Sequence, residues 1–335
     1  MVLPEVGAGW RELTIPLKKS EALQAAPSGP TIIMTEKLIS VIIPAFNAER
    51  YIGQALESVG SQTYQNWEIL VTNDGGTDGT SRIVAEFATR TSRPVRVFEH
   101  EQNSGLSAAR NTAMRAAGGE YVAFLDADDF WLPDHLESAC ALLASGKVDL
   151  AYSECFVFRD TPSGEIELLP IHTIEVTNPP ADLFRRGYIN PSGVAITRRL
   201  MEKVGEFDRS LRGTQDLDYW IRAAALGFQI ASTGRQLYYY RKPPGSLSAE
   251  YGNMAEGTAR VYEKNRNCGI LPEREIVNIA RGCYFAAGRI YWREDASAAS
   301  RMFYKSWALS KVHLLPLLCA FLAAGVSFVR PQRSR

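Results

Sequence analysis

Between residues 38 and 152 short apolar runs alternate with stretches of helical spacing, and this alternation limits the possible folds more than any other feature. Ser40-Val41-Ile42-Ile43-Pro44 reads as a buried strand. Ala48 to Gln62 follows, with Ile52, Leu56 and Val59 on one helical face. Further strands are predicted over Trp67 to Val71, Val95 to Glu99, Tyr121 to Leu125 and Val148 to Tyr152. Helices are predicted over Thr77 to Thr91, Leu106 to Ala117 and Pro133 to Ala144. Gly118-Gly119 stops the third of these four helices, and Pro133 suits the first turn of the fourth. Repeats of this length build βαβ units and a mostly parallel sheet. Ligands of such sheets bind beyond the carboxyl ends of the strands. Attention therefore falls on Ala45-Phe46-Asn47, Asn73-Asp74 and Asp126 to Asp129, each just past a strand.

The remainder is less regular. Residues 153 to 172 read as a β-hairpin around Thr161 to Gly164, with helical stretches near 180 to 187 and 198 to 204. "GTQDLDYWIRAAALG", 213 to 227, starts with a polar cap region and continues as an amphipathic helix. Phe228 to Tyr240 reads as extended chain, and 253 to 310 as helical. The first 37 residues lack a basic segment followed by an apolar core and read as a poorly ordered leader. Five cysteines without a C-x-x-C pair point to buried reduced thiols in a reducing, cytoplasmic compartment. Val312 to Val329 holds no Asp, Glu, Lys or Arg, but it contains Pro316 and only just reaches spanning length. It suits a buried helix, an interfacial helix or a span. With Arg330, Arg333 and Arg335 behind it, 312 to 335 could contact a cytoplasmic membrane face.

Lys+Arg and Asp+Glu both number 37, so the net charge is zero, which argues against nucleic acid as a partner. An anionic ligand must be met by local chemistry. Asp126 and Asp128 lie two apart and point to one side if the strand geometry persists, and oxygen-only ligation suits Mg²⁺ or Mn²⁺. Mg²⁺ takes one or two protein carboxylates and completes its shell with water and phosphate, so the cluster suggests a diphosphate bridged to protein. The plainer reading is that Asp129 and Asp134 favour the start of the following helix. "VTNDGGTDGT" makes a tight turn, with Thr77 or Asp78 capping a helix. Asp74 there could accept the imide N–H of uracil or thymine. Arg110 could orient Asp74, approach phosphate, or be a surface arginine. Asp216 and Asp218 near a helix start favour the dipole, or one of them is a general base. There is no G-x-G-x-x-G loop and no phosphate-binding Lys loop, which counts against a dehydrogenase or nucleotidyltransferase.

Four stretches in order resemble the inverting nucleotide-sugar glycosyltransferases of family 2: "VIIPAFNAERYIGQALESVGSQTYQNWEILVTNDGGTDGT", "GLSAARNTA", "FLDADDFW" and "GEFDRSLRGTQDLDYWIRAA". The resemblance implies a GT-A-type, Rossmann-like α/β sheet flanked by helices over 38 to 250. Its nucleotide half would be 38 to 130 and its acceptor half 131 to 250, followed by a helical extension over 251 to 335. It implies that Pro44, Ala45, Phe46 and Asn47 line a nucleotide pocket, that Asp74 holds the base and that Arg110 supports the site. Asn73 stands where many members carry a first aspartate. Asp126 and Asp128 would form the metal motif for Mg²⁺ or Mn²⁺, with Asp128 the direct ligand. Asp216 would be the catalytic base, with Gln215 where a glutamate often precedes it, and Trp220 and Arg222 match that helix's continuation. The implied reaction moves a sugar from a UDP- or dTDP-sugar to a saccharide or lipid-linked acceptor. One departure stands out. "YYYRKPPGSLS" has Pro243 at a usual histidine position, leaving Arg241, Lys242 or Ser246 to take its part. That substitution keeps a non-catalytic scaffold as the alternative.

Overall fold

The computed structural model describes residues 36–162, 165–170, 179–187, 189–242, 251–309 and 314–329. Residues 1–35 of the expected leader, Pro243, Ser246 and Arg330 to Arg335 lie outside them.

The expected alternation forms β1 (Ile39–Ala45), α1 (Ile52–Gly60), β2 (Trp67–Asn73), α2 (Thr80–Arg90), β3 (Val95–Glu99), α3 (Leu106–Ala116) and β4 (Tyr121–Phe124). These strands run parallel in the order β3-β2-β1-β4, with Ile39 opposite both Trp67 and Tyr121. The sheet then changes character. After β5 (Phe130–Trp131) and α4 (His135–Ala144) come β6 (Leu150–Asp160) and β7 (Ile166–Leu168), the predicted hairpin. α5 (Pro179–Arg186), a single 3-10 turn Pro191–Gly193, β8 (Val194–Thr197) and α6 (Arg198–Val204) follow. α7 (Gln215–Ala225) and β9 (Ile230–Arg241) complete the sheet region. β8 lies antiparallel to β4 and β6, β9 runs parallel to β6, and β5 caps the edge antiparallel to β9. The described residues thus form one nine-stranded mixed sheet, parallel in its first half.

Strand alternation sends Val41 and Ile43 to one face and Ile42 to the other. On the first face they meet Ile52, Leu56 and Val59 of α1, Val84 and Phe87 of α2, and Leu136 and Leu143 of α4. On the second, Ile42, Leu70 and Phe124 pack with Met114 of α3 and Tyr219, Trp220 and Ile221 of α7. Burying a side chain of this size stabilises by about 1.5–3 kcal/mol, so both faces must be covered.

Four further helices follow: α8 (Tyr251–Lys264), α9 (Glu273–Tyr291), α10 (Ala296–Ala308) and α11 (Leu314–Val329). They stack in sequence order. Val261, Tyr262, Ile276 and Ala280 join the core on the α7 face, so the sheet's core continues into α8 and α9. Asp295 caps α10 by accepting from the Ala298 N–H at 2.9 Å. All five cysteines are free thiols, and Cys140 is buried.

Candidate active site

Three loops converge at the carboxyl ends of β1, β2 and β4. β1 ends at Ala45, whose carbonyl accepts the Asp74 N–H at 2.8 Å, tying the first loop to the second. Pro44 and Ala45 are buried, so their side chains face inward, while Phe46 is 49% exposed. Asn47 adopts the left-handed conformation at φ 47° and accepts the Thr77 N–H at 3.0 Å. Of the four expected pocket residues, Phe46 and Asn47 therefore present side chains outward.

Asp74 is buried and largely engaged within the protein. Its Oδ1 accepts the Ser104 N–H at 2.9 Å and lies 2.6 Å from His100 Nδ1, while Oδ2 accepts the Gly105 N–H at 2.8 Å. A carboxylate offers about four lone-pair sites, so about one remains for a ligand. Gly75 makes this possible. It sits at φ 72°, and a Cβ there would lie 2.5 Å from the Gln102 backbone. Arg110 does not orient Asp74, as one expectation had it. Its Nη2 donates to Asp126 Oδ1 at 2.6 Å: α3 packs on β1 and β2, and this long side chain reaches from it to the loop after β4. Arg110 is buried over the Phe207 ring, at 5.5 Å. It is not a surface residue. Its Nε and Nη1 have no partner among the described residues.

The three carboxylates after β4 divide their work. Asp129 is buried, its Oδ2 accepting from Ser192 Oγ at 2.5 Å and its Oδ1 from the Arg241 N–H at 2.8 Å. Ser192 Oγ also accepts the Asp126 N–H at 3.0 Å. Trp131 Nε1 fixes the Ser192 carbonyl at 2.6 Å. Asp129 thus fastens the loop to the 3-10 turn and to β9. It does not serve α4, whose start it was expected to favour. Asp128 carries no such anchor on its carboxylate. Burial first, and the Asp126 charge second, push its carboxyl up to about 6. Burial and a like charge disfavour the ionised form of this carboxyl, and a proton or a bound cation would relieve that cost. Asp128 and the second oxygen of Asp126 fit a hard divalent ion. Among the described residues no group of three His, Cys, Asp or Glu gathers for a metal, so any ion would need ligands from elsewhere.

Arg241 backs this loop. Its Nε donates to the Asp128 carbonyl at 2.7 Å, its other guanidinium nitrogens engage Asp160 and Gln54, and its plane lies between the Tyr51 and Phe158 rings. Buried and fully engaged, it is not free to replace the histidine absent at Pro243. Lys242 is exposed.

From the other side of the crevice comes α7. Asp218 is fully buried and bonded to Arg222 Nε at 2.8 Å, Lys264 Nζ at 2.9 Å and Asn265 Nδ2 at 3.0 Å. It joins α7 to α8. Asp216 is half-buried, and its carboxyl is raised by burial and by Asp126 but held down by the Arg110 charge. Asp216, Arg110, Asp126 and Asp128 therefore share one electrostatic neighbourhood. Trp220 and Arg222, which match the helix's continuation, serve packing. Trp220 Nε1 donates to the Ile189 carbonyl at 3.2 Å, and Arg222 Nη1 to the Val204 carbonyl at 2.6 Å.

His100 and Ser192 were missed from the sequence. His100 stands just past β3, so the strand-end rule points to it. Ser192 carries no local signal.

The profile described as Glycosyl transferase family 2 matches residues 40–197. TuaG of Bacillus subtilis (strain 168), named as a teichuronic acid biosynthesis glycosyltransferase, is 31% identical over 230 residues, covering 68% of this chain and 88% of TuaG. The chain belongs to glycosyl transferase family 2. Another family relative is the Escherichia coli UDP-Glc:alpha-D-GlcNAc-diphosphoundecaprenol beta-1,3-glucosyltransferase WfaP. It is 28% identical over 243 residues, covering 72% of this chain and 90% of WfaP. Among solved structures, Staphylococcus aureus TarS 1-349 in complex with UDP superposes with a TM-score of 0.59 at 19% identity. The match covers 86% of this chain and 87% of that one. The mannosyltransferase PcManGT from Pyrobaculum calidifontis, in complex with GDP-Man and Mn²⁺, superposes with a TM-score of 0.58 at 22% identity, covering 88% and 81%. The fold is that of GT-A glycosyltransferases, and the protein is a glycosyltransferase.

Proposed function

We propose that this glycosyltransferase moves a sugar from a UDP- or dTDP-sugar to an acceptor hydroxyl with inversion, in the synthesis of a cell-surface polysaccharide, lipopolysaccharide or glycolipid. The observation that carries the reading is the shared neighbourhood of Asp216, Arg110, Asp126 and Asp128, contributed by α7, α3 and the β4 loop. The UDP bound to TarS and the UDP-glucose named for WfaP support a uridine donor. The undecaprenol-linked substrate named for WfaP supports a lipid-linked acceptor.

The nucleotide would lie across the strand ends against Phe46 and Asn47, with the remaining acceptor site of Asp74 at the base. Asp128 and Asp126 would hold Mg²⁺ or Mn²⁺, which supplies Lewis-acid charge for the leaving diphosphate. The Mn²⁺ in the PcManGT complex supports a divalent ion. Burial raises the Asp216 carboxyl, and the Arg110 charge offsets part of that rise in favour of the ionised form a base needs. Asp216 would take the proton of the acceptor hydroxyl as its oxygen attacks the anomeric carbon opposite the diphosphate, through an oxocarbenium-like transition state. Family membership disfavours both a scaffold and a nucleotidyltransferase.

A panel of UDP-, dTDP- and GDP-sugars with Mn²⁺ or Mg²⁺ identifies the donor. Asp216→Asn should then lower transfer by about 10²–10⁴-fold, while nucleoside diphosphate affinity stays nearly unchanged. Near-normal transfer by that variant would remove Asp216 from the mechanism.

A further inference from the structure

α11 uses one face to pack. Pro316, Ala320 and Ala323 are buried, and Ser300 Oγ of α10 donates to the Ala320 carbonyl at 2.9 Å. The opposite face is apolar and open, with Leu315 59%, Leu318 57%, Phe321 68% and Leu322 54% exposed. At 3.6 residues per turn these four side chains form one stripe along the helix. Cys319 neighbours Leu315 and Leu322 at the stripe's border. It also lines a groove of about 910 Å³ with Phe285, Ile290, Trp292 and Phe303. Stripe and groove are therefore one continuous apolar surface. Arg289 and Arg293 stand along the groove one helical turn apart, both exposed and without an ion-pair partner among the described residues.

We propose that this surface seats on a bilayer containing anionic phospholipid, with the α11 stripe among the acyl chains and Arg289 and Arg293 on lipid phosphates. A basic rim beside an apolar helix face is the arrangement that binds an anionic interface. Trp292, 37% exposed at the groove, belongs at headgroup depth. No helix among the described residues is long and apolar enough to cross a bilayer, and α11 is accordingly proposed to lie along the surface rather than through it. Arg330, Arg333 and Arg335 add positive charge to the same end of the chain. A second copy is a poorer occupant, because an isologous contact would bring the arginine pairs of both copies to one interface. The site gives the transferase a place beside a lipid-linked acceptor, but it stands apart from the donor chemistry.

The full chain is sedimented with vesicles of phosphatidylcholine alone or mixed equally with phosphatidylglycerol. Binding should require phosphatidylglycerol and weaken with salt. Leu318→Asp, and separately Arg289→Glu with Arg293→Glu, should each lower binding roughly tenfold or more. Their melting temperatures and donor hydrolysis in solution should stay at wild-type values, which separates this test from that of the active site. Three outcomes overturn the proposal: no binding to either vesicle, variants that bind as wild type does, or a dimer in sedimentation equilibrium that Leu318→Asp splits.

Discussion

Asp128 and Asp129 are neighbours in sequence, yet the same chemical change should affect them in opposite ways. Asp129 accepts two buried hydrogen bonds, from Ser192 Oγ and the Arg241 N–H. Asp129→Ala leaves both donors without a partner, at about 1–3 kcal/mol each, so the fold should lose about 2–6 kcal/mol. Asp129→Asn keeps an acceptor for the Arg241 N–H and turns an amide toward Ser192 Oγ. It also removes a buried charge, and burial already pushes that carboxyl well above its usual range. Its net cost should therefore stay within about 1 kcal/mol, with donor binding retained. Asp128 anchors nothing through its carboxylate, so Asp128→Asn should leave the fold intact or firmer while abolishing metal-dependent binding of a nucleoside diphosphate. Urea unfolding gives the stabilities, and calorimetry with UDP and Mn²⁺ gives the binding. If folded Asp129→Asn lost UDP binding as completely as Asp128→Asn, the division of labour would be wrong.

Arg241→Ala should destabilise the protein by about 3–5 kcal/mol, the cost of breaking a buried, multiply bonded ion pair with Asp160, and Arg241→Lys should recover only part. Thermal unfolding checks both, and an unchanged midpoint for Arg241→Ala would count against the backstop role. His135 is fully buried against Trp131, and burial alone holds its pKa down to about 3. The unfolded chain takes a proton there below about 6.5, so the folded state loses stability as pH falls, by about 2 kcal/mol at pH 5. His135→Phe should remove that component. Equal pH 7 to pH 5 losses in urea midpoint for variant and wild type would refute it.

The parallel half of the fold was readable because β1 to β4 and α1 to α3 each carry their own periodicity. β5, two residues long, was too short to carry any, and β6, expected to stop at Tyr152 with a separate hairpin from 153, instead runs unbroken to Asp160 and pairs with β7. The strand-end rule found Asp74 and the Asp126 to Asp129 loop, since it depends on topology alone. It could not tell Asp128 from Asp129. That difference is made by Ser192 and Arg241, which arrive from far along the chain. Nor could it choose the partner of Arg110, because packing decides which loop a long side chain on α3 reaches. The tail was ambiguous for a related reason. Residues 312 to 329 are apolar all round, so only the docking of Ala320 and Ala323 on α10 shows which side stays open.

The arginine that closes β9 has a consequence for the limits of the catalytic module. The family profile ends at residue 197, yet the shape of the aspartate loop inside that span depends on Arg241, well beyond it. A fragment cut to the matched span would keep the motifs around Asp74 and Asp126 to Asp129, but it would lose the stretch that carries Asp216 and the brace that gives the aspartate loop its geometry. The smallest working piece of this enzyme is set by where its scaffold closes, not by where its signature stops.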